Sequence, residues 1–557
     1  MQSLRASKLF SLGMALAIAL LLILVVIPLL FIFQTSVYPE GALDLLSPLR
    51  LILDSELGEV LLHSIWLGLL VVAGSTLLAL PVAWIFAKTN FVKHQWVDVI
   101  LLIPFMTPPY IGSMGWILFM QHNGYLEQLL PWTSAWTPKF FSVFGMVVIM
   151  SLHLFPFLYL ILRNALQQIG GSREEAAALH GGSFAYRFRR IVLTLLLSSY
   201  AMGALLIFVK TIAEFGTPAT FGRLIGYYVL TSEIHKYISS WPIDFGKATA
   251  LASILLSTCL LLWYMHSWVT RKFTYPLVGG KGSRIKVYQL KGWRSWLTWT
   301  YLAVLLGLSI GVPYFSVISA SLMKLRGEGL TWGNFTIQAY VQLLSPGSKG
   351  LHALLNSLSL SLVAATIAVI LGTYFALMIQ RSQRLSQRFT DLFALLPNTV
   401  PGIVIVLGLI IFWNSPWMPL KLYNTYGMVV LTYVVFFLPY TVQYVKANFS
   451  QIDPSLFQAG RVFGAGSFYI LRRLLLPLVI PGMLAGWMMT FTISIRELVA
   501  SLLILPPSME TSATYIFAQF EQGEVALGMA MAVISVGLTT VLLLSLHIIS
   551  SKRKWNV

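Results

Sequence analysis

Residues 98–115, DVILLIPFMTPPYIGSMG, return at 391–408 as DLFALLPNTVPGIVIVLG. Asp98 falls over Asp391, Pro104 over Pro397, Pro108 over Pro401 and Gly115 over Gly408; upstream, His63-Ser64 falls over Asn356-Ser357, all at one shift of 293 residues. Farther along the shift becomes 283, with Gly181 matching Gly464, Arg189-Arg190 matching Arg472-Arg473, Gly203 matching Gly486, Phe208 matching Phe491 and Glu214 matching Glu497. A fixed shift over so many separate positions marks an internal duplication, with one copy over 1–270 and a second over 295–557. Between them, 271–294 carries Arg271, Lys272, Lys281, Arg284, Lys286, Lys291 and Arg294 without an acid, and reads as a basic cytoplasmic linker.

The duplicated stretch is apolar, and so is the chain around it. Of 557 residues 57% are hydrophobic and only 10% charged, and the mean hydropathy is +0.79. A charge at the bilayer centre costs about 2.5–3.5 kcal/mol on insertion scales, so a polytopic membrane protein should confine its charges to loops. Apolar stretches near 10–33, 60–87, 97–120, 143–162, 192–213, 246–270, 295–320, 351–379, 391–413, 425–445, 475–495 and 525–548 predict about twelve transmembrane helices in an all-α integral membrane fold. The first of these ends in Phe31-Ile32-Phe33-Gln34 without a small-residue cleavage pattern and is read as a span. Six helices separate each span from its mate, so the two six-helix repeats are parallel in topology, with a pathway expected between them.

Arg5 and Lys8 near one end match Lys552, Arg553 and Lys554 at the other, which places both termini in the cytoplasm. Most of the Lys and Arg then fall on the cytoplasmic side, so the net charge of +18 reports membrane orientation. The bases are scattered over many loops, which speaks against a nucleic-acid partner. Cys259 is the single cysteine and excludes disulfide frameworks and thiolate metal clusters. The methionines have no repeated spacing and read as core filler, and no metal site is predicted. Glu233 and His235, in an outer loop, fit a ligand contact or a solvated loop equally.

Between the fourth and fifth spans, Ser172 is followed three residues later by Glu175, a capping box, and Gly181-Gly182 stop the short helix it starts. The loop at the matching place in the second copy opens with Asp453-Pro454, a cap followed by a first-turn proline, and ends at Gly464. Two short helices at symmetric positions suit insertion into grooves on a pair of partner subunits.

With these residues in view, EEAAALHGGSFAYRFRR at 174–190 resembles the EAA loop of binding-protein-dependent ABC importer permeases. FQAGRVFGAGSFYILRRLLLPL at 457–478 is a degenerate second copy, with Gln458 where the pattern has Glu and Gly460 where it has Ala; the first copy has Thr194 where the motif's terminal Pro477 stands in the second. The resemblance implies a type I importer fold in which the coupling helices dock on cytosolic ATPases through Glu174, Glu175, Ala176, Ala177, Leu179 and Gly181 in one loop and Gln458, Ala459, Gly460, Arg461, Phe463 and Gly464 in the other. It implies further a homodimer of ATP-binding-cassette subunits that supplies ATP and Mg, an extracytoplasmic substrate-binding protein, and location in a bacterial inner membrane. The chain has no G-x-x-x-x-G-K loop, so it is expected to be a non-catalytic subunit that binds no cofactor itself. AEFGTPATFG at 213–222 and RELVASLLILPPSMETSATYIF at 496–517 resemble the ferric-iron permeases; thiamine, 2-aminoethylphosphonate, polyamines and sulfate are the alternative cargoes.

Glu214 and Glu497 fall near the outer ends of the fifth and eleventh spans, where ionisable groups count as site candidates. The translocation pathway is expected to involve them with Lys210, Arg496, Pro108 and Pro401. Structural roles compete: Lys210 stands four residues before Glu214 and is placed to neutralise it, and the prolines are placed to kink their spans. These charges are also the sole hint of an ion-coupled secondary transporter.

Overall fold

A computed structural model describes residues 2–38, 43–46, 48, 50, 53, 55–169, 177, 179–272, 287–381, 384–453 and 455–553. Among the described residues ten helices are long and apolar enough to cross a membrane: α1 (Phe10–Val37), α2 (Glu56–Lys88), α5 (Val143–Gln168), α6 (Ala185–Ala213), α7 (Phe245–Thr270), α8 (Trp293–Ser321), α9 (Lys349–Gln380), α12 (Tyr426–Phe449), α13 (Ile470–Ser494) and α14 (Val525–Leu542). Two bent pairs complete the set, α3 (Gln95–Met106) with α4 (Pro109–Met120), and α10 (Leu385–Asn398) with α11 (Gly402–Asn414). Counting each pair as one span gives the twelve that the hydropathy pattern predicts.

The bent pairs correct one expectation. Pro108 and Pro401 do not kink continuous helices: the axes turn by 91° and 109° at these points. Each proline has no N–H and pushes the residue before it out of the helical region. Thr107 is extended at ψ 134°, and Pro108 and Pro401 take ψ of 132° and 138°, so each ends one helix and caps the next.

The chain packs into two compact units that cut across the sequence repeats. One comprises residues 1–49, 234–256 and 337–557; the other comprises 50–233 and 257–336. Within the first, α1 packs on helices of the second repeat, Ala17 and Leu21 sharing a buried cluster with Phe375, Ile379, Ala394, Leu438 and Val442. Within the second, α8 packs on helices of the first repeat, the Tyr301 hydroxyl donating to the Leu78 carbonyl at 3.1 Å. The duplication is thus a property of the sequence, whereas the units describe which helices touch.

Glycine makes both of these approaches possible. A Cβ on Gly115 of α4 would lie 2.8 Å from the backbone of Pro313 in α8, and one on Gly408 of α11 would lie 2.7 Å from the Pro28 carbonyl oxygen in α1. Both first helices carry a wide π turn, Leu22–Val26 and Gly307–Gly311, just before these prolines. Small residues let backbones meet in lipid, where no hydrophobic drive joins helices. Gly115→Ala and Gly408→Ala are each expected to destabilise by about 1–3 kcal/mol through overpacking. Gly112→Ala, with nothing within 4 Å of its Cβ, should be neutral in the same unfolding titration.

Candidate functional site

The two loop helices end in the same way. Gly181 takes φ +80° and Gly182 donates to the Ala177 carbonyl at 2.8 Å; Gly464 takes φ +77° and Ala465 donates to the Gly460 carbonyl at 3.0 Å. Each is a Schellman cap, in which the left-handed residue favours glycine, as the sequence anticipates. In the second loop the helix Ser455–Val462 starts under Asp453, whose carboxylate accepts from the Ser455 amide at 2.8 Å. That amide holds the Asp453 carboxyl below its usual range.

Leu179 is 88% exposed, and Val462 and Phe463 are 84% and 89% exposed. Gln458 and Ala459 are also exposed, whereas Gly460 faces inward, where a Cβ would lie 3.2 Å from Leu474. The degenerate glycine thus fits a tighter approach of this helix to the turn that follows it. Glu174, Glu175 and Ala176 lie outside the described residues, as do Ser172 and the side chain of Arg461.

Behind each loop stands an ion pair. Arg163, near the end of α5, lies 2.7 Å from Asp98 of α3, which also accepts from the Tyr159 hydroxyl. Lys446, near the end of α12, pairs with Asp391 of α10. The repeat pattern singles out the aspartates but not their partners, although Arg163 and Lys446 are themselves related by the shift of 283. The pairs tie the helix entering each loop to the helix that runs to each break.

Just past the ends of α6 and α13, the two matched carboxylates are helix caps. Glu214, just past the end of α6, accepts from the Thr217 amide at 3.1 Å with both oxygens. Glu497 accepts from the amides of Val499, Ala500 and Ser501 at 3.0, 2.8 and 3.4 Å, at the start of the short helix Val499–Ile504. A carboxylate is a strong acceptor for the free N–H groups there. The expected pairing of Lys210 with Glu214 is not formed among the described residues. The helix ends at Ala213 and Glu214 is extended at ψ 136°, so the i, i+4 geometry is lost and the side chain turns forward. Arg496 lies within electrostatic reach of the Tyr440 phenol.

The matched pairs His63-Ser64 and Asn356-Ser357 also find a structural meaning. Ser64 accepts from the Leu230 amide at 2.9 Å and Ser357 from the Ser512 amide at 2.7 Å, so each pins the segment after the carboxylate to the second helix of its repeat. Beside the break at Thr107 a cavity of about 20 Å³ is lined by Thr107, Trp116, His153, Thr217 and Ser309 among others. The positions matching Thr107, Trp116, His153 and Thr217 in the second copy are the apolar Val400, Leu409, Phe436 and Ala500, while Ser309 comes from α8 of the second repeat. Among the described residues no group of three or more His, Cys, Asp or Glu is arranged to hold a metal ion.

Comparison with known families decides what these duplicated parts belong to. The profile of the family described as binding-protein-dependent transport system inner membrane component matches residues 76–275 and again 368–555. The chain belongs to this family. It is therefore a fused two-copy ABC importer permease, a multi-pass inner-membrane protein. The permease is similar to the ferric transport system permease protein FbpB of Actinobacillus pleuropneumoniae, 24% identical over 90% of this chain and 74% of that one. It is also similar to the Fe(3+)-transport system permease protein FbpB 2 of Haemophilus influenzae, 24% identical over 87% and 88%. The putative 2-aminoethylphosphonate transport system permease protein PhnV of Salmonella typhi is 26% identical over 42% of this permease and 89% of its own length. That single-copy relative spans about one repeat.

Proposed function

We propose that this permease carries iron(III) from an extracytoplasmic binding protein into the cytoplasm, driven by a homodimer of ATP-binding-cassette subunits docked on its two loop helices. The observation that carries the docking is the duplication of one device: a short helix closed by a Schellman glycine and presenting exposed apolar side chains, Leu179 in one copy and Val462 and Phe463 in the other. An apolar side chain of that size in water favours burial in a partner's groove. The partner dimer holds ATP and Mg, and both termini lie in the cytoplasm with the loops. Motion of a loop helix passes to α5 or α12 and, through Asp98–Arg163 or Asp391–Lys446, to the helix that runs to the break. Pro108 and Pro401 make those breaks hinge points, and the capping carboxylates Glu214 and Glu497, with Lys210 and Arg496, stand by the ends of α6 and α13.

Iron(III) is supported by relatives that match along most of both chains and bear ferric transport in their names. A hard cation prefers an oxygen cage, and affinity is assigned to the binding protein, so the permease needs only transient contacts. The test is uptake of labelled iron(III) into vesicles holding the permease and its ATPase, with the binding protein outside and ATP inside. Accumulation that requires both is the expected result. Binding-protein-stimulated ATP hydrolysis without iron uptake would move the cargo to 2-aminoethylphosphonate, the reading favoured by the single-copy relative.

A further inference from the structure

The residues that close α2 touch three separate stretches of chain. Lys88 is fully buried at 0% exposure, and its ammonium donates to the Ile169 carbonyl at 2.9 Å. Ile169 is the residue at which the chain leaves α5 for the first loop helix. Trp84 meets Phe188 edge-on at 5.2 Å, and Phe188 opens the π turn by which the chain re-enters the membrane after that loop. The third stretch is the end of the linker between the repeats. Tyr288 forms a parallel bridge with Thr89, its amide donating to the Lys88 carbonyl at 2.7 Å and its carbonyl accepting from the Asn90 amide at 3.1 Å. The Leu290 amide donates to the Asn90 side chain at 2.9 Å, and the Tyr288 ring stacks on Trp84 at 6.0 Å.

Both roots of the first loop helix are thus gripped by Trp84 and Lys88, and that grip is itself strapped by the linker. In the second copy Leu377, Ile452 and Leu471 stand where Trp84, Ile169 and Phe188 do and share one aliphatic cluster, and Arg381, whose side chain lies outside the described residues, stands where Lys88 does. Desolvating an ammonium costs several kcal/mol, whereas an apolar side chain would fill the space of Lys88 without that cost. What the lysine adds is a directed bond to one backbone carbonyl.

We propose that Lys88 is a positioning residue for coupling, and that linker residues 287–290 are the strap that fixes it, so that the first loop helix moves with α2. The proposal rests on the importer reading for its functional half. Its structural half is a fixed geometry between the loop and the end of α2, which exists without ATPase or substrate.

The full-length permease in nanodiscs, carrying Cys259→Ala, is spin-labelled through His180→Cys on the loop and Lys93→Cys beyond α2, both exposed positions. The expected result is one narrow distance distribution that broadens in Lys88→Met and in Tyr288→Pro, the second removing both the amide that donates to the Lys88 carbonyl and the ring that stacks on Trp84. Unchanged widths in both overturn the strap. In the assembled transporter, ATP hydrolysed per substrate imported should rise about fivefold in Lys88→Met, the equivalent of one lost hydrogen bond. An unchanged ratio in an assembled complex overturns the coupling role. Should Lys88→Met fail to assemble, the ratio measured in Tyr288→Pro decides the coupling role by the same criterion. If the unsubstituted complex shows no stimulated hydrolysis, the importer reading falls while the label distances still test the strap.

Discussion

Replacing Asp98 with alanine is expected to destabilise the permease by about 3 kcal/mol or more, and replacing Asp391 by about 1 kcal/mol or less, although the two occupy the same place in the repeat. The difference comes from burial. Asp98 and Arg163 are 13% and 19% exposed at their side chains, and Asp391 and Lys446 are 35% and 28% exposed. Removing Asp98 strands a guanidinium whose Nε already lacks a hydrogen-bond partner. It also takes the acceptor from the Tyr159 hydroxyl, on a ring that is fully buried. Removing Asp391 leaves an ammonium that water can still reach. Denaturant titration of both variants in the same detergent compares them directly, and Asp98→Leu with Arg163→Met should recover most of the loss, since no charge is then left unpaired. Equal costs at 98 and 391 would show that burial does not set the value of these pairs.

Leu179→Glu is expected to leave stability within about 0.5 kcal/mol, because the side chain is 88% exposed. Binding-protein-stimulated ATP hydrolysis and uptake should nonetheless fall by about 100-fold, the effect of losing an apolar anchor worth more than about 2 kcal/mol and burying a charge in its place. Phe463→Glu tests the second loop in the same way. Gln458→Ala should be milder, as that side chain already departs from the motif. Co-purification of the ATPase with each variant is the direct measurement; normal recovery and normal uptake with Leu179→Glu would remove this loop from the docking surface.

Much of this architecture is legible in the sequence. Span positions follow from hydropathy, and the two loop helices from their glycines, because a left-handed cap leaves a signature in a single residue. Other features are set by direction in space, which spacing does not encode. Pro108 and Pro401 announce a disturbance in a helix, but whether the chain bends slightly or turns a right angle depends on what packs on either side. Lys210 and Glu214 have the spacing of a helical ion pair, and the pair fails only because the helix stops one residue early. The partners of Asp98 and Asp391 are legible in principle, since both bases recur at the repeat shift, but composition alone makes them look like ordinary loop charges. The choice of α1 and α8 to pack on the opposite repeat shows in no span pattern: the matched Gly115 and Gly408 mark where they land without saying which helix lands there.

That last choice has a consequence for how the protein is made. Pro28 rests on Gly408, and roughly 380 residues of chain separate them. At a synthesis rate of about 5–20 residues per second, α1 waits roughly 20–75 s before its neighbour exists. For most of that interval α1 lies against lipid, the insertion machinery or helices other than its final neighbours. The order of manufacture and the order of packing therefore disagree, and α1 reaches its final place long after it is made.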